Sequence, residues 1–357
     1  MKKKEALGIF ILALLCSSLV FGQKHPGDKD FKWWRDSHFE WPKENPQAKT
    51  LPLISVKGNK FINSEGDTLL FRGVAISDPD KLKDQGLWRK RHFEEIKKMG
   101  ATLVRIPVHP IAWHTRTPEK YLDLLDEAVQ WCTELGLYVI VDWHSIGNLG
   151  MELFQSPMYD TTIKETYTFW QTIAFHFKGN NTVAFYELFN EPTLFNGSLG
   201  SMSWSEWKTM NEKMIALLRA CDKETIPLVA GFDWAYDLTP LHNNPIRAEG
   251  IGYVTHPYPH KRKKPWPLKW EENFGFAADT YPVIATEIGF RLDENEKGED
   301  DDYGEIIVSY LEDRGISWVV WVFDADWYPG LIKSWDNYEL SGCGKFFKKA
   351  MHGEVVH

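Results

Sequence analysis

The sequence is poor in the features that mark several large protein classes. Only four of its 357 residues are cysteine. Cys16 lies in an apolar N-terminal run, and Cys132, Cys221 and Cys343 make an odd, sparse set with no disulfide framework. They read as buried thiols. Beyond the first run, no apolar stretch reaches the ~20 residues of a membrane-spanning helix. Glycine-rich phosphate cradles and dinucleotide fingerprints are missing. Positive charge is in deficit: the formal net charge is −9, and the first 22 residues contribute Lys2, Lys3, Lys4 and Glu5, a net +2, so the remainder carries −11. That balance disfavours nucleic acid and anionic membranes as partners and suits a neutral ligand. Clustered metal ligands are also lacking, since His109 and His114 have no partners at metal-ligand spacing. The stretch Asp293–Gly298 superficially resembles a calcium loop. Lys297 and Gly304, however, stand where an oxygen donor and a bidentate Glu are needed, so it reads as a solvated acidic loop. No metal and no cofactor is expected.

What the sequence does have is tryptophan, 17 in all. Core packing takes up a share of these. The excess fits a groove whose rings stack on flat C–H faces, such as those of a sugar.

The N-terminus has an organisation of its own. Lys2–Lys4 precede an apolar run from Ala6 to Phe21, and Val20 and Gly22 occupy the −3 and −1 positions for cleavage before Gln23. This is a secretory signal pattern, too short for a membrane span. Leu14 and Leu15 stand where a lipid-anchor motif at Cys16 would need small residues. The chain is therefore read as a signal over 1–22, an irregular extension over 23–50 and one domain over 51–357, exported and monomeric. Within the domain, Ile54–Lys57 and Lys60–Asn63 flank Gly58-Asn59 and predict a hairpin.

Eight short apolar runs follow: Leu69–Ala75, Ala101–Val108, Leu137–Asp142, Val183–Phe189, Pro227–Gly231, Gly250–Thr255, Pro282–Thr286 and Ile316–Phe323. Near-continuous apolar strands separated by helical patterns indicate a parallel sheet covered on both sides. Eight such units predict the α/β class in its closed form, a (β/α)₈ TIM barrel. The clearest helix has Thr117 as N-cap, Pro118 in its first turn, Tyr121, Leu125, Ala128, Cys132 and Leu135 as a buried stripe, and Gly136 as its stop. Further helices are predicted near 88–99, 161–177, 204–222, 268–279 and 303–314. The fifth connection, Phe232–Glu249, is only weakly helical.

In a closed parallel barrel the strand ends at one face hold the site. The fourth run continues into Asn190-Glu191-Pro192, and the seventh into Glu287-Ile288-Gly289. Pro192 keeps Glu191 out of helical geometry, and Gly289 permits a sharp turn beside Glu287. Two glutamates brought to one rim are the standard means of breaking a sugar bond: one assists the leaving oxygen as an acid, and the other attacks the anomeric carbon. A lone strand-end Glu is more often a salt-bridge partner; the pair points to catalysis.

At these residues the chain resembles glycoside hydrolase family 5, the cellulase-like family, over roughly residues 69–325. The resemblance rests on an ordered set: Arg105 in Val104-Arg105-Ile106-Pro107, His144 in Asp142-Trp143-His144, Asn190-Glu191-Pro192, His256 and Tyr258 in Thr255-His256-Pro257-Tyr258, then Glu287 and Trp321. It implies Glu191 as acid/base and Glu287 as nucleophile. Arg105 and Tyr258 would orient Glu287, with Arg105 keeping it ionised. Asn190 would bind the sugar 2-hydroxyl, His144 and His256 would support the site, and Trp321 would be a sugar platform. Trp234 and Trp327 are candidate subsite walls. Trp113 and Trp266 lie in rim loops where packing is an equal reading. Asp142 and Asp233 read as supporting partners or caps. His260–Lys264 reads as a solvated basic rim. The implied activity is retaining hydrolysis of internal β-1,4 linkages in glucan. Mannan, glucomannan or xyloglucan hydrolysis, and non-catalytic glycan binding, are the alternatives.

Overall fold

In the computed structural model the described residues are 49–292 and 302–354. The signal expected over 1–22, nearly all of the extension expected over 23–50 and residues 293–301 lie outside them. Gly58 takes a φ of +59°, and the Gly58-Asn59 turn joins β1 (Ser55–Lys57) to β2 (Lys60–Ile62) in an antiparallel pair. The Asn63 side chain accepts from the Glu65 and Asp67 amides. That turn sends β3 (Thr68–Leu69) back along β2. Leu69 therefore belongs to the hairpin sheet, and the first barrel strand begins only at Arg72.

The barrel strands are β4 (Arg72–Ile76), β5 (Leu103–Val108), β6 (Tyr138–Trp143), β9 (Val183–Glu187), β11 (Ile226–Ala230), β12 (Gly252–Thr255), β13 (Val283–Ile288) and β14 (Ser317–Phe323). Between them, β7 (Ile146–Asn148), β8 (Leu153–Phe154) and β10 (Glu191–Pro192) form a small separate sheet. The eight barrel strands pair in parallel, in chain order, and β14 closes on β4. This is the expected (β/α)₈ barrel. The fourth barrel strand stops short of its apolar run: Leu188 and Phe189 leave β9 and pack outward into the surrounding core.

The barrel interior is stratified by the period of two along each strand. Leu103, Ile140, Phe185, Val254, Ile284 and Val319 share one apolar cluster with Phe61 of the hairpin. Phe61 meets Phe185 edge-on at 5.1 Å, so the hairpin stoppers one end of the barrel. Two residues further along three of those strands stand Arg105, Asp142 and Glu187, all fully buried. The interior thus passes from aliphatic to ionic within one side-chain layer.

Helices cover the outside. Pro118–Leu135 buries Tyr121, Leu125, Ala128 and Cys132 as expected, with Leu135 partly buried against the same core. Thr117 does not cap it: at φ +72° its side chain makes no capping bond, and its amide closes the preceding helix Pro110–Arg116 on Trp113 O. Ile163–Phe177 and Trp204–Cys221 are capped by Thr162 and by a Ser203/Glu206 capping box. The helix expected over 268–279 divides into Trp266–Asn273 and a 3₁₀ turn Gly275–Asp279. Gly275 lies so close to the Tyr310 hydroxyl that a β-carbon would sit 1.8 Å from it. Helices at Pro79–Asp84 and Gly342–Met351 carried no clear sequence signal. The fifth connection holds only a short turn, Phe232–Ala235, and a 3₁₀ turn, Thr239–His242. Trp113 and Trp266 are buried packing residues, not rim walls. None of the three described cysteines is in a disulfide among the described residues; Cys132 and Cys343 are buried, while Cys221 is only partly so. Among the described residues no helix is long and apolar enough to cross a membrane.

Candidate active site

A cleft of about 610 Å³ opens at the end of the barrel opposite the hairpin. It is lined by His144, Asn190, Glu191, Trp234, Tyr258, Glu287 and Trp321 among the expected residues, with Gln155, Tyr159, Lys261 and Arg262 added by the fold. The volume falls in the usual range for small-ligand clefts, ~300–1,000 Å³.

Glu191 reaches the cleft through β10. Its amide donates to Ser145 O, and its backbone pairs with Ile146 of β7. Glu287 reaches it through a register shift between Ala285 and Ile288. Strict alternation would put Thr286 inward and Glu287 outward. The irregularity lets both face the site, a common use of bulges beside active centres. Glu191 and Glu287 each present a carboxylate oxygen that, with one His256 nitrogen, forms a group within 4.8 Å.

Arg105 is the hub beneath them. Its Nη1 donates to Glu287 Oε1 at 2.8 Å and its Nη2 to Asn190 Oδ1 at 2.7 Å. Nε and Nη2 hold Glu187 at 2.7 and 2.9 Å, and Asp142 Oδ2 lies 3.0 Å from Nη2. Asn190 Oδ1 is thereby taken, which assigns its amide nitrogen to the cleft side. Tyr258 donates its hydroxyl to Glu287 Oε2 at 2.9 Å. His256 Nδ1 lies 3.0 Å from Glu191 Oε1, and its Nε2 2.9 Å from Thr286 Oγ1, which in turn donates to Glu187 Oε1.

The charges settle unevenly. Burial alone would lower the His256 imidazole, but Glu287, Glu187 and Glu191 outweigh it and push it up to about 9. His256 is then a charged donor to Glu191. A metal drawn to the group formed by Glu191, His256 and Glu287 would first have to displace that proton. Glu187 is resisted by burial, yet Arg105 and His256 pull it down to about 2. Burial raises Glu287 above the ordinary carboxylate range, and Glu191 adds to the push, against His256, Arg105 and Tyr258. Arg105 favours the ionised form of Glu287, but three other acceptors share its charge and burial outweighs it. His144 Nδ1 lies 2.6 Å from Asp142 Oδ2, and the imidazole is held well below its usual range, by burial first and then by His109, Arg105 and His256.

Trp321 lies parallel to His144, 3° between planes and 5.3 Å between centroids, and stacks on Trp327 at 5.8 Å. Trp327 itself lines a smaller neighbouring cavity with Asp78, Lys81 and His109, not the main cleft. Trp234 also lines the cleft and donates Nε1–H to Gln155 Oε1. His109 and His114 bond to Asp78 and Glu165, as structural histidines do. Lys261 and Arg262 are not a solvated rim: both are partly buried and bond to Asp233. Glu187 is the main residue that sequence reasoning passed over. Its signal was present, an acid inside an otherwise apolar strand, because such a charge is buried only when paired.

The family model described as Cellulase (glycosyl hydrolase family 5) matches residues 63–326. A β-glucanase of Saccharophagus degradans is 47% identical, with a TM-score of 0.85 over 91% of this chain and 100% of that chain. The same protein has been solved in complex with cellotetraose. Among curated relatives, endoglucanase E-5 of Thermobifida fusca is 25% identical over 60% of this chain, and an endoglucanase of Clostridium saccharobutylicum is 24% identical over 84%. The chain spans only 43% and 65% of those two proteins.

Proposed function

This chain belongs to glycosyl hydrolase family 5, the cellulases, and we propose that it hydrolyses internal β-1,4 linkages of a glucan with retention of configuration. The observation that carries this reading is the meeting of Glu191 and Glu287, from distant strands, across one small gap. Retaining enzymes hold their carboxyl groups ~5–5.5 Å apart, and inverting ones ~6.5–9.5 Å apart to admit a water.

In the first step Glu287 attacks the anomeric carbon while Glu191 protonates the leaving oxygen. Arg105 and Tyr258 hold the two Glu287 oxygens in place, so attack needs little reorganisation. Once Glu287 is esterified its charge is gone, and Glu191 accepts a proton from the incoming water. His256 orients Glu191 in both steps. The Asn190 amide nitrogen is available to the sugar 2-hydroxyl, and Trp321 offers a flat face to the ring. The turn that carries Trp234 packs against the strand of the proton donor Glu191, which assigns it to the leaving-group side in this reading. The leader read over residues 1–22 supports export.

The test is product analysis on cellulose, mixed-linkage glucan, glucomannan and xyloglucan, with the anomer of the first product read by NMR. Release of β-anomer from a glucan is expected. Release of the α-anomer, or inertness on all four, would sink the proposal.

A further inference from the structure

Asp233, Trp234 and Ala235 all adopt the left-handed helical region, with φ of +58°, +54° and +59°. None is glycine. For such residues this conformation crowds the β-carbon against the following carbonyl, and it is seldom held over consecutive residues. Something must therefore hold it. Gly231 lets the turn close, since a β-carbon there would lie 1.9 Å from Asp237 O. The other restraints come from a different loop. Lys261 Nζ donates to Asp233 O at 3.0 Å and reaches Trp234 O at 3.5 Å. The same ammonium stands 4.8 Å from the Trp234 ring centroid. Arg262 pairs with Asp233 Oδ2 at 3.0 Å and lies over Tyr236 at 4.4 Å. On the opposite side, Gln155 takes the indole N–H. Strain that persists at a cleft wall because its surroundings over-determine it is a mark of function.

We propose that Lys261 is a positioning residue: it locks the left-handed Asp233–Ala235 turn so that Trp234 forms a fixed wall for the leaving-group sugar. Selectivity for oligosaccharide over small-ring leaving groups then depends on this clamp. The idea rests on the hydrolase reading above. Two consecutive carbonyls turned to one side suit an ammonium with three donors, and its stem covers the ring it orients. The loop is thus consumed by the clamp, which leaves Lys261 and Arg262 poor candidates for binding an acidic sugar.

The experiment compares cellotetraose with an activated aryl cellobioside. Lys261→Met should lower kcat/KM on cellotetraose about tenfold, chiefly through KM, and lower it less on the aryl substrate. Lys261→Arg should restore most of the difference. Gln155→Leu, at an exposed position that is safe for folding, should give a smaller loss of the same selectivity. In a Trp234→Ala background, Lys261→Met should add little, because the two act as one unit. Equal losses on both substrates, or additive losses in the double variant, overturn the clamp alone. A wild-type protein inert on both substrates sinks the hydrolase reading and the clamp with it.

Discussion

Glu187 grips the Arg105 guanidinium side-on, Oε2 to Nε at 2.7 Å and Oε1 to Nη2 at 2.9 Å, with both side chains fully buried. Arginine's planar fork matches a carboxylate in this way, and lysine could not replace it. The grip fixes the direction of Nη1, which is the atom that meets Glu287. The distance between Glu191 and Glu287 therefore depends on a residue that does not line the cleft.

Glu187→Gln keeps the shape and removes the charge. Breaking a buried pair by deleting one partner costs ~3–5 kcal/mol, because the remaining ion is uncompensated. Urea unfolding of the variant should show a loss of that order, together with reduced turnover. Stability within about 1 kcal/mol of wild type would show that Asp142 and Glu287 suffice to hold Arg105.

The two carboxylates should fail differently. Glu287→Ala is expected to abolish turnover while polysaccharide binding survives. Glu191→Ala should lose ~10²–10⁴-fold on substrates with poor leaving groups, and much less on activated aryl glycosides. Added azide should rescue the second step of the Glu191 variant and give a β-glycosyl azide. Equal losses on both substrate types would reject the acid role.

The activity profile should have a high acid limb. Glu287 must be ionised to attack, and burial, aided by Glu191, raises it above its ordinary value of 4.5. Activity then falls as pH drops through that raised value. Tyr258→Phe removes a hydrogen bond to the charged form, so the limb in kcat/KM should move to still higher pH. A shift in the opposite direction would contradict the assignment.

His256 and His92 together favour a stability maximum near pH 6.5, which the raised Glu287 and Asp142 carboxyls, protonated more readily in the folded state, draw towards acid. His256 is raised from 6.5 to about 9, so its contribution is complete below about 6.5 and is lost as pH rises through about 9. His92, fully buried with neither ring nitrogen partnered, is lowered from 6.5 to about 3. Its contribution is complete above about 6.5 and is lost as pH falls towards 3. Glu187, at about 2 against an ordinary 4.5, steepens the loss below pH 4.5. Melting temperatures across pH should trace this dome, and His92→Leu should flatten its acid side. An unchanged acid limb would mean that His92 is not buried as a neutral ring.

Sequence alone was enough for the architecture and for the two glutamates. Eight apolar runs of strand length carry their own signal, since each strand is covered on both sides and must be apolar throughout. Glu191 and Glu287 were legible because Pro192 and Gly289 mark where those strands end. The same local reasoning missed Glu187, which sits inside a strand, where its partner comes from 82 residues away. It also misread Thr117, whose backbone is claimed by a preceding helix that has no strong local pattern.

Local propensity and periodicity, then, determined which segments would be strands and which acids would stand at their ends. The tertiary structure alone decided how charge is shared. One guanidinium serves four acceptors, one imidazole lies between three glutamates, and a lysine from the sixth loop holds a turn in the fifth. These are pair distances between residues remote in the chain. Coulomb and hydrogen-bond energies depend on such distances and on burial, and neither quantity exists until the barrel has closed.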